Sequence, residues 1–136
     1  MTVAERVPRV WTLWLAVRPS QLVLIGVVYA LGVGLATALT AATVPWRAVG
    51  LGGAAVGHVA ASIHYANEYA DVETDALTDR TPFSGGSGAL VETGLPAAFL
   101  GRATAGTLVV AAGVLAVSAG RGWLPLDAVA LLVVVL

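Results

Sequence analysis

The chain has 136 residues, of which 58% are apolar and only 11% charged, where a soluble domain carries about a quarter charged. Its formal net charge is -1, with seven Arg and no Lys, which leaves no basic surface for nucleic acid. The absence of Cys excludes a disulfide scaffold, a thiolate zinc site and a thiol nucleophile.

Arg6 and Arg9 precede an apolar stretch that is too long for the h-region of a secretory signal and has no clean small-residue cleavage pattern at its end. A retained span is therefore expected. Gln21 to Ala42 carries no charge and matches the roughly 20 apolar residues that cross a bilayer core. Trp11 and Trp14 lie ahead of it, where interfacial aromatics belong. Pro19 falls near the first helical turn, where its missing N–H costs nothing.

After a turn at Thr43-Val44-Pro45, a second span is expected from Trp46 to Tyr69. It begins small and apolar and becomes polar at His64 and Asn67. Pro82 and the glycines at 85, 86 and 88 end the helix, and a loop runs to about Leu95. Pro96 reads as the first turn of a third span, from Ala97 to Ala119. Gly120, Gly122 and Pro125 make the next turn, and a fourth apolar run begins near Leu126 and is still running at Leu136. That run is too short to cross a bilayer, so the expectation is an N-terminal portion of a larger protein. The fold class expected is all-α: one transmembrane helical bundle over residues 1–136, with about four spans, the last partial.

Small residues recur every fourth position, at Gly26, Ala30 and Gly34 and at Gly53, Gly57 and Ala61. This spacing lets helices approach closely in lipid and is read as packing. Orientation follows from arginine placement. Arg6, Arg9, Arg18, Arg80 and Arg102 share one side, against Arg47 and Arg121 on the other. The bias puts the N-terminus and the long loop in the cytoplasm and the protein in a cell membrane.

Six of the eight acidic residues fall between positions 68 and 92: Glu68, Asp71, Glu73, Asp75, Asp79 and Glu92. On a helix, Asn67, Asp71 and Asp75 project from one face, with His64 a turn earlier near the same face. Carboxylates one turn apart, about 6 Å, repel by roughly 3 kcal/mol at an effective dielectric of about 20. An Asp deep in the membrane costs about 2.5–3.5 kcal/mol more. A hard divalent cation offsets both, and carboxylate oxygens suit Mg²⁺, which shares its open positions with substrate phosphates. The plain alternative is a solvated helix end whose acids hold only water. In the glycine-rich loop that follows, Arg80 could clamp a phosphate bidentately; its alternative is an ordinary surface turn.

The run Asn67-Glu68-Tyr69-Ala70-Asp71-Val72-Glu73-Thr74-Asp75, followed by Arg80-Thr81-Pro82, resembles the first aspartate-rich motif of the UbiA-type intramembrane prenyltransferases. Arg18-Pro19 is similar to the Arg-Pro of quinone-pathway members. The resemblance implies nine helices around a cavity with two facing aspartate-rich motifs. It implies a Mg²⁺-dependent transferase that joins a prenyl diphosphate to a lipophilic or aromatic acceptor, such as a quinone precursor. Asp71 and Asp75 would hold the metal, Asn67 would position it or its waters, and Arg80 and Arg18 would contact the diphosphate, Arg18 by a looser analogy that leaves an acceptor-side role open. Two departures stand out. Glu68 replaces a commoner Asp and is expected to matter little, because it points off the Asn67–Asp71–Asp75 face. A second aspartate-rich motif is missing, since Asp127 stands alone.

Other readings stay open. One is a non-catalytic membrane subunit or degenerate paralogue, which the missing motif favours. Another is a cation transporter, which would need further charges at mid-membrane depth. Serine hydrolysis has no support, because Ser84 and Ser87 lack a His-Asp partnership in the sequence. Acceptor identity and prenyl chain length are not readable.

Overall fold

The computed structural model describes residues 3–41, 43–75 and 87–124, with the side chains of 3–7, 74 and 75 excepted. All the regular structure among them is helical: α1 Val3–Ala16, α2 Pro19–Thr40, α3 Trp46–Ala70, α4 Val72–Asp75, α5 Ala89–Thr93 and α6 Ala98–Gly120. The three long apolar segments thus begin and end within a few residues of the boundaries expected from sequence. The fourth apolar run, beginning near Leu126, lies outside the described residues.

The interval before the first span, expected only as a run-in with interfacial tryptophans, is a separate helix. A bend at Arg18 (φ 51°, ψ 74°) divides α1 from α2. A residue before proline is disfavoured in the right-handed helical region, so α1 cannot run on through Arg18. Pro19 then opens α2 without losing a ladder bond. Pro8 lies inside α1, and Thr12 meets its carbonyl oxygen at 2.7 Å.

The packed heart of the molecule is α3 against α6. Toward the polar end of α3, Ala16, Val17, Ala61, Tyr65, Ala89, Leu90 and Leu100 form one buried cluster that α1, α3, α5 and α6 share. A second, smaller cluster joins Ala55, Leu115 and Leu124. Near it, Arg47 and Arg121 both lie over the ring of Trp123, at 5.1 and 5.2 Å, a cation–π arrangement at the end remote from the acidic cluster.

Helix α2 contributes no buried residue. Its tether to α3 is Tyr29, whose hydroxyl donates to the Val49 carbonyl at 2.7 Å. The ring lies against Gly52 and Gly53, and a Cβ at Gly52 would stand 2.7 Å from Tyr29 Oη. Gly52 is required for this close approach. Gly52→Ala is expected to push Tyr29 off Val49 and cost about 1–2 kcal/mol. Thermal unfolding in nanodiscs checks this, and Gly57→Ala, where nothing lies within 4 Å, should be close to neutral.

Among the described residues two helices, α2 and α6, are long and apolar enough to cross a membrane. Helix α3 has 25 residues, but Arg47, His58, Ser62, His64 and Asn67 make it more polar. Apart from the side that Tyr29 sets against α3, the surface of α2 is left for lipid or further helices to cover.

Candidate functional site at the polar end of α3

Asn67 and Asp71 are held one turn apart: the Asp71 N–H donates to the Asn67 carbonyl at 2.9 Å. Both residues are exposed. Helix α3 ends at Ala70, with Asp71 as its cap (φ −88°, ψ 1°), and the chain turns again as α4 from Val72 to Asp75. The expected face therefore spans a helix end rather than one unbroken helix. The Asn67–Asp71 part keeps helical register, and Asp75 follows beyond the interruption. The Asp75 side chain and all of Arg80 lie outside the described residues.

Among the described residues no three His, Asp or Glu side chains are grouped for a metal ion. The donors that are described, the Asn67 amide and the Asp71 carboxylate, are accessible hard oxygens of the kind Mg²⁺ accepts, and Mg²⁺ needs only one or two protein carboxylates. In kind, the described donors fit that ion.

Glu68 departs most from expectation. It does face away from the exposed Asn67–Asp71 side, but it is far from idle. Its side chain is only 2% exposed. Its Oε1 accepts the Ala89 N–H and its Oε2 accepts the Ser87 N–H, each at 2.9 Å. The Arg18 guanidinium lies 3.6 Å from Oε2. A carboxylate taken out of water needs this kind of compensation. Ser87 Oγ also accepts the Ala89 N–H, at 3.2 Å, and Gly88, left-handed at φ 69°, turns the chain into α5.

Arg18, expected at a diphosphate, is thus brought to Glu68. Its Nε is buried without a hydrogen-bond partner, as are both ring nitrogens of His64, one turn below Glu68 on α3. Helix α1 closes the same region from the side. Trp11 Nε1 donates to Glu92 at 2.9 Å, the Thr12 and Thr93 hydroxyl oxygens lie 2.8 Å apart, and the Thr93 hydroxyl donates to the Ala89 carbonyl at 2.6 Å. The two links between α1 and α5 could not be read from sequence, because they join positions 81 apart. For Glu68 a signal existed: an acid one turn above His64 on the inward side of a helix needs a cation or several N–H donors.

Deeper along α3, a groove of about 390 Å³ is lined by Leu22, Ala54, Gly57, His58, Ala61, Tyr65 and Thr107. It is mostly apolar, and Tyr65 and Ala61 connect its walls to the cluster under the acidic end. Compared with family models, with curated proteins and with solved structures, the chain finds no match.

Proposed function

We propose that this chain is an integral membrane protein carrying the first carboxylate half of a prenyltransferase site, which takes a prenyl diphosphate and passes its isoprenoid chain to a lipophilic or aromatic acceptor. The observation that carries the reading is the exposed Asn67–Asp71 pair at a helix end, in a chain with two membrane-length apolar helices. The resemblance of residues 67–82 to the first UbiA-type motif supplies the reaction class.

In this reading α3 is a third span and the acidic end faces the cytoplasm. Asp71 and Asp75 would hold Mg²⁺ for the diphosphate, Asn67 would position the metal or its waters, and Arg80 would contact the diphosphate. Mg²⁺, when bound, neutralises charge that builds on the departing pyrophosphate. The chain's own part is orientation and exclusion of water. The mostly apolar groove beneath the acidic end suits an isoprenoid tail, and a dry surround protects a carbocation from water. A facing set of carboxylates completes such a site. A quinone precursor is the acceptor that Arg18-Pro19 favours.

The test is retention of a non-reactive prenyl thiodiphosphate by the full protein in lipid nanodiscs, with Mg²⁺ and then with EDTA. Retention that needs Mg²⁺ is expected. Retention equal in both conditions, or none in either, would sink the reading and favour the non-catalytic membrane subunit.

A further inference from the structure

We infer that Glu68 is a positioning residue: its one buried carboxylate ties Arg18 at the head of α2 and the Ser87–Ala89 backbone at the head of α5 to the helix end that carries Asn67 and Asp71. The functional part of this inference rests on the proposed prenyltransferase reading; the structural part does not.

The geometry is specific. Each carboxylate oxygen takes one backbone N–H at 2.9 Å, and Arg18 stands over Oε2 at 3.6 Å. Three stretches of chain, around residues 18, 68 and 87–89, therefore converge on one side chain that is 2% exposed. Both flanking stretches need an external hold. Arg18 adopts a left-handed backbone that a non-glycine residue rarely takes. Ser87 and Ala89 lie where the chain returns to the bundle after the acidic segment, and α5 has only five residues, too few to be stable by itself. Glu68 is adjacent to Asn67 and three residues before Asp71 but faces inward, so it acts on those donors by fixing the buried side of the helix end that carries them. It also occupies one end of the Arg18 guanidinium, whose Nε is buried without a hydrogen-bond partner.

A carboxylate is needed because two N–H donors and a cation must be met at once. In Glu68→Gln, one acceptor oxygen becomes an NH₂ that opposes an N–H donor, with almost no change of shape. Glu68→Ala removes both acceptors. The structural readout is amide hydrogen exchange of the full protein in nanodiscs. Exchange at Ser87 or Ala89 should quicken at least about tenfold in Glu68→Gln, and at both in Glu68→Ala. The functional readout is Mg²⁺-dependent affinity for the prenyl thiodiphosphate. It should fall about tenfold in Glu68→Gln, and Arg18→Gln should add little in that background, because the pair acts as one unit. Unchanged exchange at both amides in Glu68→Gln would overturn the inference, and so would fully additive effects of the two substitutions on affinity. If Glu68→Ala does not fold, the isosteric Gln variant still decides. If the wild type binds no prenyl diphosphate, the functional reading falls, and exchange at Ser87 and Ala89 still decides whether Glu68 holds the two flanks.

Discussion

The double variant Asp71→Asn, Asp75→Asn is expected to lose at least about 100-fold in Mg²⁺-dependent affinity for a prenyl diphosphate, since altering even an outer-shell partner of a metal ligand costs about 10–100-fold. Stability should move the other way. Without metal, adjacent carboxylates repel, so the Asn variant in EDTA should melt no lower than wild type. With saturating Mg²⁺ the wild type should gain, by about 2.7 kcal/mol at 100 times the dissociation constant, and the variant should not. This opposition separates a metal site from a structural one, because removing structural hydrogen bonds lowers stability with or without Mg²⁺. Glu73, exposed on α4, serves as the control: Glu73→Gln should leave both quantities nearly unchanged. A variant that still gains stability with Mg²⁺ would rule out Asp71 and Asp75 as the ligands.

What could be read in the sequence was what depends on local periodicity. The α2 and α6 segments announce themselves by apolar length, α3 by its small, apolar first half, and all three by Pro19, Pro45 and Pro96 at or near their starts. The helical spacing of Asn67 and Asp71 was legible for the same reason. Helix α1 was hidden because its tryptophans read equally well as an interfacial flank, and only the pre-proline bend at Arg18 makes it a separate element. The break at Asp71 was also invisible, because Asn67, Asp71 and Asp75 keep helical spacing whether or not the helix pauses between them. Contacts such as Glu68 to Ala89 or Trp11 to Glu92 depend on how α1 and α5 dock, and nothing local to either partner encodes that. The inward direction of Glu68 was readable, but the three groups it meets there were not.

Leu100→Ala is expected to be the most destabilising apolar truncation in the described bundle. Leu100 is fully buried in the first turn of α6, among Ala16, Val17, Ala61, Tyr65, Ala89 and Leu90. Three of those neighbours are alanines, with no side chain able to swing into a void. In lipid the hydrophobic transfer contribution shrinks, because an unpacked leucine still meets hydrocarbon, and van der Waals packing is what remains. The cavity cost persists at about 24 cal/mol per Å³, so a loss of about 2 kcal/mol or more is expected. Leu108, half-exposed on the same helix, provides the comparison: Leu108→Ala should cost under about 0.5 kcal/mol. Reversible unfolding of both variants in mixed micelles measures the difference. Equal costs would mean that α1, α5 and α6 do not share a core at Leu100. The consequence reaches the acidic end, because Ala89 both shares this buried cluster with Leu100 and donates to Glu68. A void there should loosen the hold on residues 87–89, so amide exchange at Ala89 should quicken in Leu100→Ala beyond the global change and stay unchanged in Leu108→Ala.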